Sequence, residues 1–389
     1  MELINPTIKQ RIYSIDVLRG IVMVIMALDH VRDFFTNITF NPLDLEKTTP
    51  ILFFTRIITH LCAATFVFLS GTSAYLSLSK KRDKKQASIF LIKRGLWLLF
   101  LELTIIGFGF QFDIHFHNIL AQVIWAIGIS MIVLALLIHL KPGYIAVIGL
   151  LIIFGHNLLD PIKAESLGHA KLLWLMLHQQ GFDQINSYES IFVLYPVLPW
   201  IGIMAAGYAF GTLFNLSSEI RKKLFLKIGL GSLALFIILR FINKYGDPFP
   251  WQPQNTLAKN IMAFVKVQKY PPSLFYALLM LGISITALAL LENVNNKITR
   301  IFMVFGRVPM FYYLQHIYLI HGLAALMLYI QYGIPPFKLT LFDAKPDTWG
   351  YSLPVVYLIW IGVVVILYFP CRWFVKVKQS RSDWWLSYI

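Results

Sequence analysis

Cysteine is nearly absent from this chain: Cys62 and Cys371 are the only two in 389 residues. That count excludes a multi-bridge disulfide framework and a C-x-x-C thiolate metal site. Charge is scarce too, at 14% of residues, and acids (19) are fewer than bases (34). An ordinary soluble domain carries roughly a quarter charged residues, so the soluble class is excluded. The sequence has no Walker A loop, no dinucleotide-binding glycine fingerprint and no H-E-x-x-H motif. It has no acidic cluster suited to a divalent ion, and His316 and His321 are five apart, off any shared i,i+4 face. No metal is therefore expected. No A-x-A-like cleavage site follows the first apolar stretch, which is read as a retained helix.

What the chain does have is apolar length, with 58% hydrophobic and 15% aromatic residues. Windows long enough to span a bilayer fall at 14–36, 51–79, 88–110, 118–140, 143–160, 190–214, 224–243, 272–292, 301–331 and 351–374. The expected fold is an all-α polytopic membrane bundle of about ten helices, forming one domain over residues 1–389. The net charge of +15 sits in short loops and tails, for example Lys9 and Arg11, Lys80 to Arg82, Lys141, Arg221 to Lys223, and Lys376 and Lys378. No basic domain of independent size exists, so nucleic acid is not an expected partner. The positive-inside rule instead puts both termini and the even-numbered loops in the cytoplasm. The odd loops are longer, and the one at 244–271 carries Trp251, Tyr270 and several prolines, which suggests an ordered cap over the outer mouth.

The most informative polar groups lie inside a span. Ser14–Phe35 (SIDVLRGIVMVIMALDHVRDFF) contains Arg19 and His30. Eleven positions return to within about 20° of one helix face and rise about 16 Å, roughly half a hydrocarbon core. Asp16, Arg19, Met23, Met26, His30 and Asp33 form one stripe, and Asp16 can pair with Arg19 one turn away. Ionisable groups at such depth are costly and usually functional. An intramembrane imidazole suits a general base or an acyl relay, and an arginine nearer the cytoplasm suits phosphate or carbonyl groups. Asp29 adjoins His30 but points to another helix face. Glu102, an isolated acid in the third span, is the better candidate to orient the ring. His30, Asp29 and Glu102 form the candidate catalytic set. Arg19, Asp16, Lys93 and Arg94 form the candidate donor-binding set. Arg56 and His60, Asn118 and Gln122, and Gln315 and His316 are candidates for acceptor binding.

Four stretches carry a family resemblance: Arg11–Phe35, Phe66–Gly71 (FVFLSG), Lys93–Leu103 (KRGLWLLFLEL) and Gly306–His321 (GRVPMFYYLQHIYLIH). Together they resemble the heparan-alpha-glucosaminide N-acetyltransferase catalytic-domain-like family of bacterial membrane proteins. Arg19-x10-His30 is also similar to the signature of the wider transmembrane acyltransferases. The resemblance implies acetyl-CoA or another acyl-CoA as cytoplasmic donor, a sugar or glycan acceptor on the outer side, and a multi-pass location in a bacterial inner membrane. It implies that His30 acts as base or acyl relay and that Arg19 contacts the donor. Association into a homodimer is left open. The alternative, from another class, is a proton-coupled secondary transporter or flippase using Arg19, His30 and Glu102. An acyltransferase should have a narrow passage past Arg19 that meets an outer opening at His30. A transporter should have one shared polar cavity, and paired broken helices are not evident in the sequence.

Overall fold

In the computed structural model, residues 12–78, 83–335 and 345–387 are described. Of the basic residues that set the expected orientation, Lys9, Arg11, Lys80, Lys81 and Arg82 lie outside them. Helices dominate. The first is α1 (Tyr13–Phe35), followed by α2 (Pro50–Leu78) and α3 (Lys84–Leu101). A π-helical turn at Glu102–Ile106 joins α3 to the short α4 (Gly107–Gln111). Strand β1 (Asn118–Ala121) precedes α5 (Val123–Leu137) and α6 (Pro142–Gly155), which ends in a 3-10 turn at His156–Leu159. Next come α7 (Lys171–Leu177), β2 (Gly181–Gln184), β3 (Ser190–Val193), α8 (Val197–Phe210) and α9 (Ser218–Ile242). The chain continues through α10 (Leu257–Val265), α11 (Leu274–Leu291), α12 (Lys297–Arg307), α13 (Pro309–Tyr332) and α14 (Leu353–Ser380).

Among the described residues, seven helical stretches are long and apolar enough to cross a bilayer: Pro50–Leu78, Pro142–Leu159, Val197–Asn215, Ser218–Ile242, Leu274–Leu291, Pro309–Tyr332 and Leu353–Ser380. The protein is a multi-pass helical membrane protein. Each expected window contains a helix, but three windows are corrected. The 118–140 window opens as a strand, because residues 118–121 pair in register with 190–193. The 190–214 window opens as the other strand of that pair. The 301–331 window splits at Val308 (φ −132°, ψ 52°), since Pro309 lacks an N–H and pushes its predecessor out of the helical region.

Helix α1 is the centre of the bundle. It packs against α2, α11, α12, α13 and α14 and is buried along most of its length. Its contact with α12 needs two glycines: a Cβ on Gly20 would lie 1.8 Å from the Phe302 carbonyl oxygen, and one on Gly306 would lie 1.8 Å from that of Asp16. Small residues let the two backbones touch, as in many membrane helix pairs. Helix α14 is the opposite case: only 17% of its apolar window is buried, so the rest is left for lipid.

One end of the bundle is capped. Strand β3 pairs parallel with β1 and antiparallel with β2, giving the order β1-β3-β2. The long 243–273 connection, with α10 inside it, lies at this same end. It is pinned by Arg240, which is 1% exposed and donates to the carbonyls of Phe249, Ala263, Phe264 and Lys266. Three of those carbonyls lie at the C-terminal end of α10, where the helix dipole favours a cation. The Trp251 indole N–H donates to the Arg240 carbonyl and its ring packs on Phe264. The expected cap over the mouth is therefore present, and the small sheet adds a part that the sequence did not suggest.

Candidate functional site

The C-terminal half of α1 borders a cavity of about 340 Å³. Asp29, His30 and Asp33 line it from α1, Arg56 and Thr59 from α2, and Gln122 from the start of α5. The capping segments add Gln180, Tyr195, Lys269 and Tyr270. The cavity is wide enough to meet the two faces on which Asp29 and His30 stand.

The environment of His30 fixes its chemistry. His316 Nδ1 lies 2.5 Å from the Tyr313 carbonyl oxygen and 3.2 Å from that of Tyr312. A carbonyl only accepts, so Nδ1 carries the hydrogen and Nε2 of the neutral ring carries the lone pair. That Nε2 lies 2.7 Å from His30 Nδ1, which must then be the donor. The remaining nitrogen, His30 Nε2, is left as an acceptor. His30 is half-buried and lines the cavity, while His316 is fully buried behind it. The orienting partner is therefore an imidazole from α13, not Glu102. The π-helical turn carries Glu102 away from the cavity: its Oε1 accepts from the Gln122 backbone N–H at 2.7 Å, where β1 meets α5.

Asp29 is held by two cations. Arg56 Nη1 reaches its carboxylate oxygens at 2.5 and 2.7 Å, Arg32 Nη2 at 2.8 Å, and Thr59 Oγ1 donates at 2.9 Å. Arg32 also bridges to Asp33 at 2.6 Å. This acid anchors an ion network and is not a free base. Lys269, 5% exposed, brings a further positive charge, with its ammonium 5.0 Å from the centre of the Tyr270 ring.

A second, smaller cavity of about 110 Å³ lies farther along α1. Arg19, Ser70 and Arg94 supply its polar lining, and Met23, Leu98, Ile124, Ile127, Met131 and Met310 most of the rest. Arg19 Nη2 donates to Ser73 Oγ at 2.8 Å, and Nη1 lies 3.6 Å from Asp16, the pairing expected from their spacing. Phe66, Val123 and Tyr313 line both cavities, which adjoin at these side chains. The Tyr313 hydroxyl is buried there with no hydrogen-bond partner among the described residues.

Of the residues singled out in the sequence, Asp29, His30, Arg56 and Gln122 meet at the larger cavity, with His316 behind His30. Arg19 and Arg94 meet at the smaller one. The others are elsewhere. Asp16 is buried between Arg19 and Arg307, Lys93 is exposed, and His60 is buried with its carbonyl bonded to Tyr276. Asn118 sits in β1 and accepts from Ser190, and Gln315 lies off the cavity beside His316. Sequence reasoning missed Lys269 and Tyr195 and gave Tyr313 no role. Tyr313 stands inside the quoted Gly306–His321 stretch, and Lys269 adjoins Tyr270 in the cap, so both had a neighbouring signal.

Buried ion networks, an oriented imidazole and two adjoining cavities inside a membrane bundle define a class: a polytopic membrane protein with an internal reaction or binding chamber. The family described as heparan-alpha-glucosaminide N-acetyltransferase, catalytic, matches residues 11–241. The chain belongs to this family, and hence to a family of transmembrane acetyltransferases. No curated protein matches it. Lys269, Tyr313 and His316 lie beyond the matched stretch, so part of the chamber is built by residues the family match does not cover.

Proposed function

We propose that this protein transfers an acyl group, most simply acetyl, from cytoplasmic acyl-CoA to a sugar or glycan acceptor on the opposite side of a bacterial inner membrane. The observation that carries this reading is the oriented lone pair of His30, which lines a cavity that adjoins the Arg19–Arg94 cavity at Tyr313. The donor's phosphates meet Arg94 and Arg19, and its acyl arm runs along the apolar wall toward the junction. The acceptor occupies the larger cavity, where the free edge of Arg56 and the ammonium of Lys269 suit hydroxyl or anionic groups.

His30 Nε2 takes the proton from the acceptor hydroxyl or amine as its oxygen or nitrogen attacks the thioester carbonyl. The Tyr313 hydroxyl donates to the developing oxyanion. The tetrahedral intermediate collapses, the C–S bond breaks, and the thiolate leaves with the proton from His30. Asp29 and Asp33 offset the positive charge that His30 carries in between. The two cavities, unequal in size and lining, support a through-passage over the single exchanging chamber of a transporter.

The test is transfer of labelled acetyl from acetyl-CoA to envelope glycans in membranes bearing the wild-type protein or His30→Ala. Label on glycan with the wild type and none with a folded His30→Ala supports the reading. Equal labelling by both overturns it.

A further inference from the structure

Outside the chamber, the capped end holds a second cluster of buried titratable groups. His156 opens the 3-10 turn that ends α6, Asp160 follows that turn, and His178 follows α7. One ligand atom from each lies within 4.8 Å of the others. His178 Nε2 is 3.0 Å from Asp160 Oδ1, and Asn157 Nδ2 holds Asp160 Oδ2 at 2.8 Å. Both histidines are more than nine-tenths buried, and Nδ1 of each has no hydrogen-bond partner among the described residues. A simple His178–Asp160 ion pair explains neither the second imidazole, 5.6 Å away between ring centres, nor its unpartnered nitrogen. Burying such a nitrogen unpaired is costly, and a ligand would remove that cost.

We propose that His156, Asp160 and His178 bind a borderline divalent cation of the Zn2+ type. Two imidazoles and a carboxylate suit zinc, whereas Ca2+ and Mg2+ prefer all-oxygen shells. Asn157 is the outer-shell partner that fixes the carboxylate. Three protein ligands leave a fourth position, and Asp160 and His178 border a cleft of about 250 Å³ that can supply it. The ion ties the end of α6 to the end of α7. Two residues past His178, Gln180 borders both this cleft and the His30 cavity, as does Tyr270. The ion therefore staples the rim of the chamber. The sequence conceals the site because, although His156 and Asp160 are four apart, the third ligand, His178, lies 18 residues beyond Asp160 and is brought in by a packed helix end.

The experiment uses the full chain in detergent, stripped with a chelator and desalted. Zn2+ is titrated against a chromophoric competitor, and melting is followed with and without the ion. About one Zn2+ per chain should bind tightly and raise the melting temperature, while Mg2+ and Ca2+ should do neither. His156→Asn and His178→Asn should each weaken binding by roughly a hundredfold or more, since even outer-shell partners are worth roughly 10–100-fold. The double variant of exposed His115 and His117, both to Asn, should bind as the wild type does. X-ray absorption of the Zn2+-loaded wild type should show two imidazole ligands, a readout that stands if a variant fails to fold. Wild-type uptake no greater than that of His156→Asn, loss of the ion in the His115/His117 variant, or a shell without two imidazoles would each overturn the proposal.

Discussion

The two cavities along α1 differ in kind. The larger one is polar and its charges are largely paired: Asp29 and Asp33 meet Arg32 and Arg56, and His30 is held by His316. The smaller one is mostly apolar, with two arginines supplying its charge. On the proposed reading, the first holds a polar molecule in one orientation and moves a proton, and the second admits a slender chain whose charged end stays behind. A single helix serves both because the rise from Arg19 to His30 is about 16 Å and both stand near one face.

The sharpest way to break this contrast is His30→Ala. General-base removal costs roughly 10²–10⁴-fold in rate, so acetyl transfer should fall by that factor, while acyl-CoA still binds and the melting temperature holds. Rate assays beside donor-binding measurements check it. Next comes the junction. Tyr313→Phe removes a hydroxyl without changing the packing, and kcat should fall roughly 10²-fold, the lower range for a lost oxyanion donor, with both KM values little changed. A rise in KM alone would make Tyr313 a wall and not a participant. His316→Phe removes the acceptor that fixes the His30 tautomer. Activity should fall roughly 10–100-fold, as for other orienting partners, and the low-pH limb of kcat/KM should move. An unmoved limb would show that the ring is oriented some other way.

Smaller effects sharpen the comparison. Arg19→Ala should raise KM for acyl-CoA by roughly tenfold or more, the worth of one charge-assisted hydrogen bond, and leave the acceptor KM alone. Equal loss for both would assign Arg19 to packing with Ser73 and Asp16. The smallest effect concerns the cap. Burial raises the Asp247 carboxyl above 3.8, against hydrogen bonds from the Gln268 and Phe249 amides and Ser273 and the charge of Arg240, which lower it. An acid raised on folding contributes stability that is complete below its unfolded value and is lost as pH rises through its folded value. The melting temperature of the wild type relative to Asp247→Asn should therefore decline as pH rises from below 3.8, then level off. A flat difference would contradict the burial.

The bundle was legible because apolar windows and loop charges are one-dimensional signals. The Arg19–His30 stripe was legible because helical spacing alone places it. Glu102 misled because a π-helical turn rotates the carboxylate toward the Gln122 amide, and nothing in LELTI announces that turn. His60 misled because one turn from Arg56 was read as a shared face, whereas it lies buried in the core, off the cavity. The sheet was invisible since its strands have only four residues each and β1 lies far in sequence from the β2–β3 pair. Lys269 and Tyr195 reach the chamber from capping segments, and such long-range closure leaves no local pattern.

The most direct measurement is a structure with a non-hydrolysable acyl-CoA analogue bound. The account predicts phosphates at Arg19 and Arg94, with the carbon that replaces the thioester carbonyl between Phe66, Val123 and Tyr313, facing His30 Nε2. An analogue bound away from that junction, with its reactive end closed off from His30, would contradict it.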